Sequence, residues 1–254
     1  MYTFIYYSPT GNAKYLTKKL AQLLDGTNSD ILPMEFSDPE KLTPNKHLVI
    51  VYPVHGFNAP RTVKRFVKNL PQELYNVVSL IAVGCTDNWM NAAVSSDLRK
   101  ELNKKAYSIA LDTTLAMPLT FIANFPDELN FKLIAKAEEN LKEISQAIVG
   151  EKVTVRNIEF KSKLLNFIGK AESPAARVFG LELHSNKSCD SCGTCWTNCP
   201  EMNITEKNGN PSFGFNCSMC MRCIYNCPQS AISPRFSKFI PLRNGYKLSK
   251  YIKE

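Results

Sequence analysis

The chain has 254 residues, 44% of them hydrophobic and 21% charged, enough apolar material for one large globular domain or two unequal ones and too much for disordered, collagen-like or coiled-coil classes. The formal net charge of +8 is uneven, with 16 basic against 15 acidic residues up to position 150 and 15 against 8 beyond it; because the basic residues of the second part are dispersed and the aromatic residues do not interleave with them as a stacking platform would require, no nucleic-acid surface is expected. No run approaches 18 apolar residues, and Met1 leads straight into a strand-like segment without a basic, cleavable leader, so the sequence predicts no membrane span and a cytoplasmic protein.

Residues 1–150 alternate short β-rich apolar runs with helical periodicity, the pattern of βαβ units and a parallel sheet. Strands are predicted at Tyr2 to Tyr7, Asp30 to Met34, Leu48 to Tyr52, Val77 to Val83 and Tyr107 to Asp112. Between them Leu16, Leu20, Leu23 and Leu24 form one helical stripe, Pro60 opens a second ahead of Val63, Phe66 and Val67, and Leu98 with Leu102 marks a third. A longer helix, Glu128 to Val149, is expected to turn Phe131, Ile134, Leu141, Ile144 and Ile148 inward and to end with Gly150 at C′. Residues 151–186 read as a connector: a β-like run, Val153 to Val155, then a basic amphipathic helix around Leu164, Leu165, Phe167 and Ile168 that docks on the body of the protein. Residues 187–254 hold too little aliphatic material to fold by burial alone and need covalent or metal staples.

Eight of the nine cysteines supply those staples. They form Cys189-x-x-Cys192-x-x-Cys195-x-x-x-Cys199-Pro200 and, 28 residues later, Cys217-x-x-Cys220-x-x-Cys223-x-x-x-Cys227-Pro228. Ile204 and Ile232 recur at the same distance past each fourth cysteine, so one supersecondary unit is duplicated. In a chain without an export signal, crowded thiols point to metal ligation before disulfides. Tetrahedral zinc or a disulfide framework requires neither a triplet nor a proline-marked fourth cysteine, repeated.

This duplicated motif resembles the two-cluster bacterial ferredoxins. The resemblance implies two [4Fe-4S] clusters with crossed ligands: Cys189, Cys192, Cys195 and Cys227 on one, Cys217, Cys220, Cys223 and Cys199 on the other. Cluster thiolates of this kind add about four negative charges and cancel much of the apparent basicity. With no open iron site, such clusters pass single electrons, and Ile204, Ile224, Ile232 and Trp196 are expected to keep water from the sulfurs.

Three loops of the first part carry a second constellation. The first strand runs into Ser8-Pro9-Thr10-Gly11-Asn12-Ala13 and then a helix, a turn suited to holding a phosphate. The third runs into Pro53-Val54-His55-Gly56-Phe57-Asn58 and the fourth into Gly84-Cys85-Thr86-Asp87-Asn88-Trp89. All three lie at the carboxyl ends of strands that a doubly wound sheet sets side by side. The loops resemble the flavodoxin pattern, which implies strand order 2-1-3-4-5, the FMN phosphate on the first loop, and the flavin ring between the other two. Trp89 and Phe57 are the stacking candidates. Ala13 stands where flavodoxins commonly have a hydroxyl residue, which implies one phosphate hydrogen bond fewer. Cys85 is expected to be buried or at the flavin edge, since no second cysteine lies near to resolve it, and His47, His55 and His184 lack metal spacing. Only Asp87 is acidic in the two ring loops while Arg61 and Lys64 follow closely, which predicts less repulsion of an anionic reduced flavin than in ordinary flavodoxins.

The whole chain, apart from the connector and the tail after Ser233, resembles fused flavodoxin and ferredoxin proteins of anaerobic microbes. The implied function is electron transfer between two [4Fe-4S] clusters and FMN and onward to a redox partner protein. The alternative is a flavin-dependent reductase of a small molecule fed by its own clusters. A Rossmann dinucleotide site is not indicated, since the chain contains no G-x-G.

Overall fold

The computed structural model describes residues 2–24 and 29–252; Met1, 25–28 and 253–254 lie outside the described residues. The chain divides into two compact units, residues 1–118 with 126–170, and residues 119–125 with 171–254. The segment expected to be a connector is therefore shared between them.

The first unit follows the order β1 (Tyr2–Tyr6), α1 (Asn12–Leu24), β2 (Asp30–Pro33), β3 (Asn45–Pro53), α2 (Arg61–Asn69), β4 (Tyr75–Gly84), α3 (Ser96–Lys104), β5 (Ser108–Ala116), α4 (Asp127–Val149), β6 (Thr154–Val155) and α5 (Phe160–Gly169). Among the described residues six strands form one sheet in the order β2-β1-β3-β4-β5-β6, parallel throughout. The expected order holds for the first five strands, and the five-strand count is corrected to six. The run Val153 to Val155 contributes the extra strand, with Leu111 and Asp112 facing Thr154 and Val155.

Leu48, Val49, Ile50, Val51 and Tyr52 of β3 are all fully buried, as a central strand covered on both faces requires. Helices α1 and α4 pack together on one side, and α2 and α3 pack together as a second pair. The α4 stripe runs Asn130, Ile134, Ala137, Leu141, Ile144 and Ile148, so Phe131, one position off that spacing, is 50% exposed rather than inward. Leu23 of α1 is likewise exposed. Gly150 is the C-cap at φ −77°, and the left-handed C′ position belongs to Glu151 at φ +51°. The Glu151 and Lys152 N–H groups donate to Ile148 and Ala147 carbonyls, a Schellman closure.

The second unit contains α6 (Glu172–Glu182), β7 (Leu183–Ser185), α7 (Thr194–Thr197), β8 (Ile204–Lys207), β9 (Asn210–Phe213), α8 (Arg222–Tyr225) and β10 (Ile232–Pro234). The sequence duplication is a structural one: β7-α7-β8 is repeated by β9-α8-β10. The two copies interlock, since β7 pairs antiparallel with β10 and β8 with β9. Left-handed residues recur with the same 28-residue offset, at Ser191 and Met219 (φ +59° and +53°), Gly193 and Met221 (+84° and +61°), and Met202 and Ser230 (+49° and +48°). The small core joins Phe179 of α6 to Leu183, Met221 and Ile232. Helix α6 approaches so closely that a Cβ on Gly180 would stand 2.4 Å from the Cβ of Cys217. Among the described residues no helix is long and apolar enough to cross a membrane.

Candidate functional sites

At the carboxyl end of the first sheet the chain turns in opposite directions from β1 and β3, leaving a crevice between their loops. Gly11, at φ +102°, turns β1 into α1, whose first hydrogen bond runs from the Tyr15 N–H to the Gly11 carbonyl. The amide groups of that first turn have no partner within the helix. The Asn12 side-chain amide donates to the Pro118 carbonyl at 3.1 Å, so it anchors the loop rather than reaching outward.

The second loop is a tight reversal. His55 and Asn58 exchange both backbone hydrogen bonds, at 2.9 and 2.8 Å, around Gly56 and Phe57, whose φ values of +50° and +58° define a type I′ turn. A phenylalanine in left-handed backbone is strained, and such strain persists only where surrounding contacts impose it. Here α5 imposes it. Asn166 donates its side-chain amide to the Phe57 carbonyl (2.9 Å), the Ala93 carbonyl (3.1 Å) and Asn58 Oδ1 (2.9 Å), while Asn58 Nδ2 donates to the Asn166 carbonyl (2.8 Å). Ser162 Oγ donates to the Trp89 carbonyl at 2.7 Å. A Cβ on Gly169 would fall 1.6 Å from the Gly56 carbonyl oxygen, so this helix end sits directly on the second loop. The expected docking helix therefore docks by its polar side. Phe160 and Phe167 are 81% and 71% exposed.

The third loop is secured from beneath. Asn91 Nδ2 donates to the Thr86 carbonyl at 2.7 Å, and Arg156, just past β6, reaches the Asp87 carbonyl at 3.4 Å and the Thr114 carbonyl at 3.2 Å. Arg99 donates to the Arg156 carbonyl and pairs with Asp112, whose carboxyl burial pushes upward. Sequence reasoning missed Arg156 and Asn166; the only trace of the former is a cation following a short β-run. Asp87 lies 3.8 Å from Lys136, and Lys64 pairs with Asp97 at 2.7 Å. Of the two cations expected to act on the ring loops, Lys64 is thus engaged on α3. Trp89 is 45% exposed and Phe57 half-buried. Cys85 is exposed at the mouth of the loop, which removes the buried alternative. Burial lowers the His55 pKa to about 4, so its ring, set edge-on to Tyr7, is neutral at pH 7.

In the second unit none of the cysteines is in a disulfide. They sort into two cavities. One is lined by Cys189, Cys192, Cys195 and Cys227 with Trp196 and Ile232, the other by Cys199, Cys217, Cys220 and Cys223 with Ile204 and Ile224. The four aliphatic and aromatic side chains expected around the sulfurs are thus divided between the two. Backbone amides point at three sulfurs: Asn203 N–H at Cys199, Met219 N–H at Cys217 and Ala231 N–H at Cys227, each at 3.3 Å. The first and third are repeat equivalents. Burial pushes the Cys195 thiol up to about 11 and raises those of Cys220 and Cys223. Among the described residues no three His, Cys, Asp or Glu side chains are grouped as a site for a metal ion; the sulfurs surround voids.

Parallel order 2-1-3-4-5, helices on the sheet and loops gathered at the β1/β3 switch give the first unit the flavodoxin-like α/β fold, with a sixth strand added. No protein-family model matches the chain, and no curated protein does. Among solved structures it is similar to a flavodoxin of Streptococcus pneumonia TIGR4, at 12% identity and a TM-score of 0.44 over 59% of this chain and 98% of that one. It is also similar to a Fusobacterium nucleatum flavodoxin bound to flavin mononucleotide (12%, TM-score 0.43, 59% and 98%) and to oxidised flavodoxin 2 of Bacillus cereus (15%, TM-score 0.43, 59% and 98%).

Proposed function

We propose that the chain is an electron-transfer protein that holds FMN on the loop face of its first unit and two [4Fe-4S] clusters in a ferredoxin-like second unit, and that it passes single electrons among them and to a redox partner protein. The observation that carries this reading is the sorting of the cysteines. Each cavity takes three from one copy of the repeat and the fourth from the other copy, the crossed arrangement that duplicated ferredoxin motifs imply. Bare thiols raised by burial stay neutral at pH 7; a cationic iron-sulfide core among them is what favours the thiolate form.

Such clusters take up and release one electron each, and FMN takes up one or two. The protein supplies the positions. Amide N–H groups of Asn203, Met219 and Ala231 stabilise negative charge on sulfur, and Ile204, Ile224, Ile232 and Trp196 line the cavities and limit water. On the loop face, the α1 amino end and Gly11 suit a phosphate, and the strained Gly56-Phe57 turn and Trp89 offer the walls for a flat ring. Unbridged thiols in this number fit a reducing compartment, the cytoplasm.

Rapid anaerobic mixing with dithionite tests the coupling. Cluster bleaching and flavin reduction should follow in kinetic sequence, and flavin reduction should slow when one cluster is removed by Cys199→Ser. Equal flavin reduction rates with and without that cluster would overturn an internal electron path.

A further inference from the structure

The second unit gathers an excursion from the first part of the chain and the tail that the family resemblance leaves unexplained. The excursion 119–125 and the tail after Ser233 meet through the Ile122 N–H donating to the Ile240 carbonyl at 2.6 Å. Tyr225, inside the second cysteine loop, clasps both. Its hydroxyl donates to the Thr120 carbonyl at 2.7 Å and accepts from the Leu242 N–H at 2.9 Å. The Glu182 carboxylate fixes the base of the tail by accepting from the Phe236 and Ser237 N–H groups at 3.1 and 2.8 Å and from Ser237 Oγ at 2.8 Å. The tail is therefore a built wall, and it forms one side of an open cleft of about 1020 Å3 within the second unit.

The lining says what fits. The volume lies at the upper end for small-molecule sites, far more than an inorganic ion fills. Phe239, Tyr246 and Ile122 give a flat apolar body, and Lys238, Arg243 and Lys247 stand around it, while no Asp or Glu is among the described lining residues. Phe239 and Ile122 are 72% and 60% exposed, so their apolar surfaces are open to a bound ring. Position supplies the rest. Ile224 belongs both to this cavity and to that of Cys199, Cys217, Cys220 and Cys223, and Ile232 both to this cavity and to that of Cys189, Cys192, Cys195 and Cys227. A molecule bound here is one side-chain layer from either set of sulfurs.

We propose that this cavity binds an anionic, planar one-electron carrier, of the quinone or flavin-nucleotide type, and that the cysteine-held groups exchange electrons with it there. The binding site stands on its own lining; the exchange rests on the cluster reading of the previous subsection. Each exchange moves one electron between a cysteine-held group and the ring, and the proton a reduced ring needs comes from water at the open mouth.

The probe is anthraquinone-2,6-disulfonate, with FMN added beyond the first equivalent as a second arm and the dication methyl viologen as control. Equilibrium dialysis against the full, cofactor-loaded chain should show a saturable site for the disulfonate. The triple variant K238Q/R243Q/K247Q, altered only at exposed side chains, should weaken it by tenfold or more and leave methyl viologen unchanged. In the same variant, reoxidation of reduced protein by the disulfonate should slow while that by methyl viologen does not. Saturable FMN binding lost in parallel assigns the flavin-nucleotide type, and its absence the quinone type. Unchanged disulfonate affinity in the variant overturns the site, as does a variant that impairs only an acidic electron-carrier protein. Failure of the cluster reading looks different: the protein is colourless and nothing bleaches, yet the dialysis arm still decides the cavity.

Discussion

The loop face of the first unit and the cysteine cavities of the second position their groups by opposite means. On the loop face the groups offered to a ligand are mostly backbone, and their geometry depends on side chains far away in sequence: Asn166 and Ser162 on α5, Arg156 beyond β6, Asn12 reaching Pro118. In the cysteine unit the thiols, the turns that aim them and the amides that face them all lie within two interlocked copies of one short motif. The first kind of site should degrade gradually when a support is lost, the second should lose a whole cofactor when one sulfur is lost.

The largest effect expected from that contrast is in the cysteines. Cys199→Ser and Cys217→Ser should abolish the same cluster, and Cys227→Ser and Cys189→Ser the other, as read by EPR of reduced protein with iron falling by about half. Pairing of Cys199 with Cys189 instead would break the crossed arrangement. Next comes Gly180→Ala, where the added carbon must displace Cys217 or the Gly214 carbonyl, 2.4 and 2.9 Å away. It should cost about 3 kcal/mol in the second unit, seen as a lowered thermal transition there with the first unit's transition unmoved.

Acid should act on the first unit. Burial lowers both His47 and His55 to about 4. Because the folded values lie below the unfolded one near 6.5, the stability these neutral rings confer is complete above pH 6.5 and is lost as the pH falls toward 4. A loss of about 1–2 kcal/mol per histidine between pH 6.5 and 5 is expected in urea titrations, and H47N/H55N should flatten the slope. An unchanged urea midpoint across that range in the unsubstituted protein would contradict it.

Asn166→Ala removes the support beneath Phe57, Asn58 and Ala93 and should cost about 2 kcal/mol while weakening FMN about tenfold; fluorescence titration with FMN would show no change if α5 had no part in the loop site. The smallest effect belongs to Arg222. Every backbone feature of α8 has its equivalent in α7, but Arg222, 7% exposed and lining one cavity, stands where the other copy has Thr194. A buried cation favours the reduced form of its neighbour, so Arg222→Thr should lower the potential of that cluster alone by on the order of 60 mV. A shift of both clusters equally in an EPR-monitored redox titration would show that the asymmetry lies elsewhere.

What the sequence made legible follows the same division. The crossed cysteine sets and the order of β1 to β5 were legible through the two resemblances, which rest on short motifs, the duplicated cysteine spacing and the three strand-end loops, rather than on burial: β2 has no buried residue. The sixth strand was visible as the β-like run Val153 to Val155, but a two-residue strand carries no signal that it joins the sheet beside β5. Helix α5 defeats the usual rule: Ser162 and Asn166 are buried and Phe160 and Phe167 are not, since its task is to satisfy loop carbonyls rather than to cover the sheet. The excursion 119–125 pairs with residues more than a hundred positions away, and nothing within it announces that partner.

The most direct test of the account is to count iron, acid-labile sulfide and FMN in anaerobically prepared chain supplied with all three. The account predicts about eight iron, eight sulfide and one FMN per chain. Zinc in place of iron, or a chain that takes up iron and sulfide and leaves FMN in solution, would contradict it.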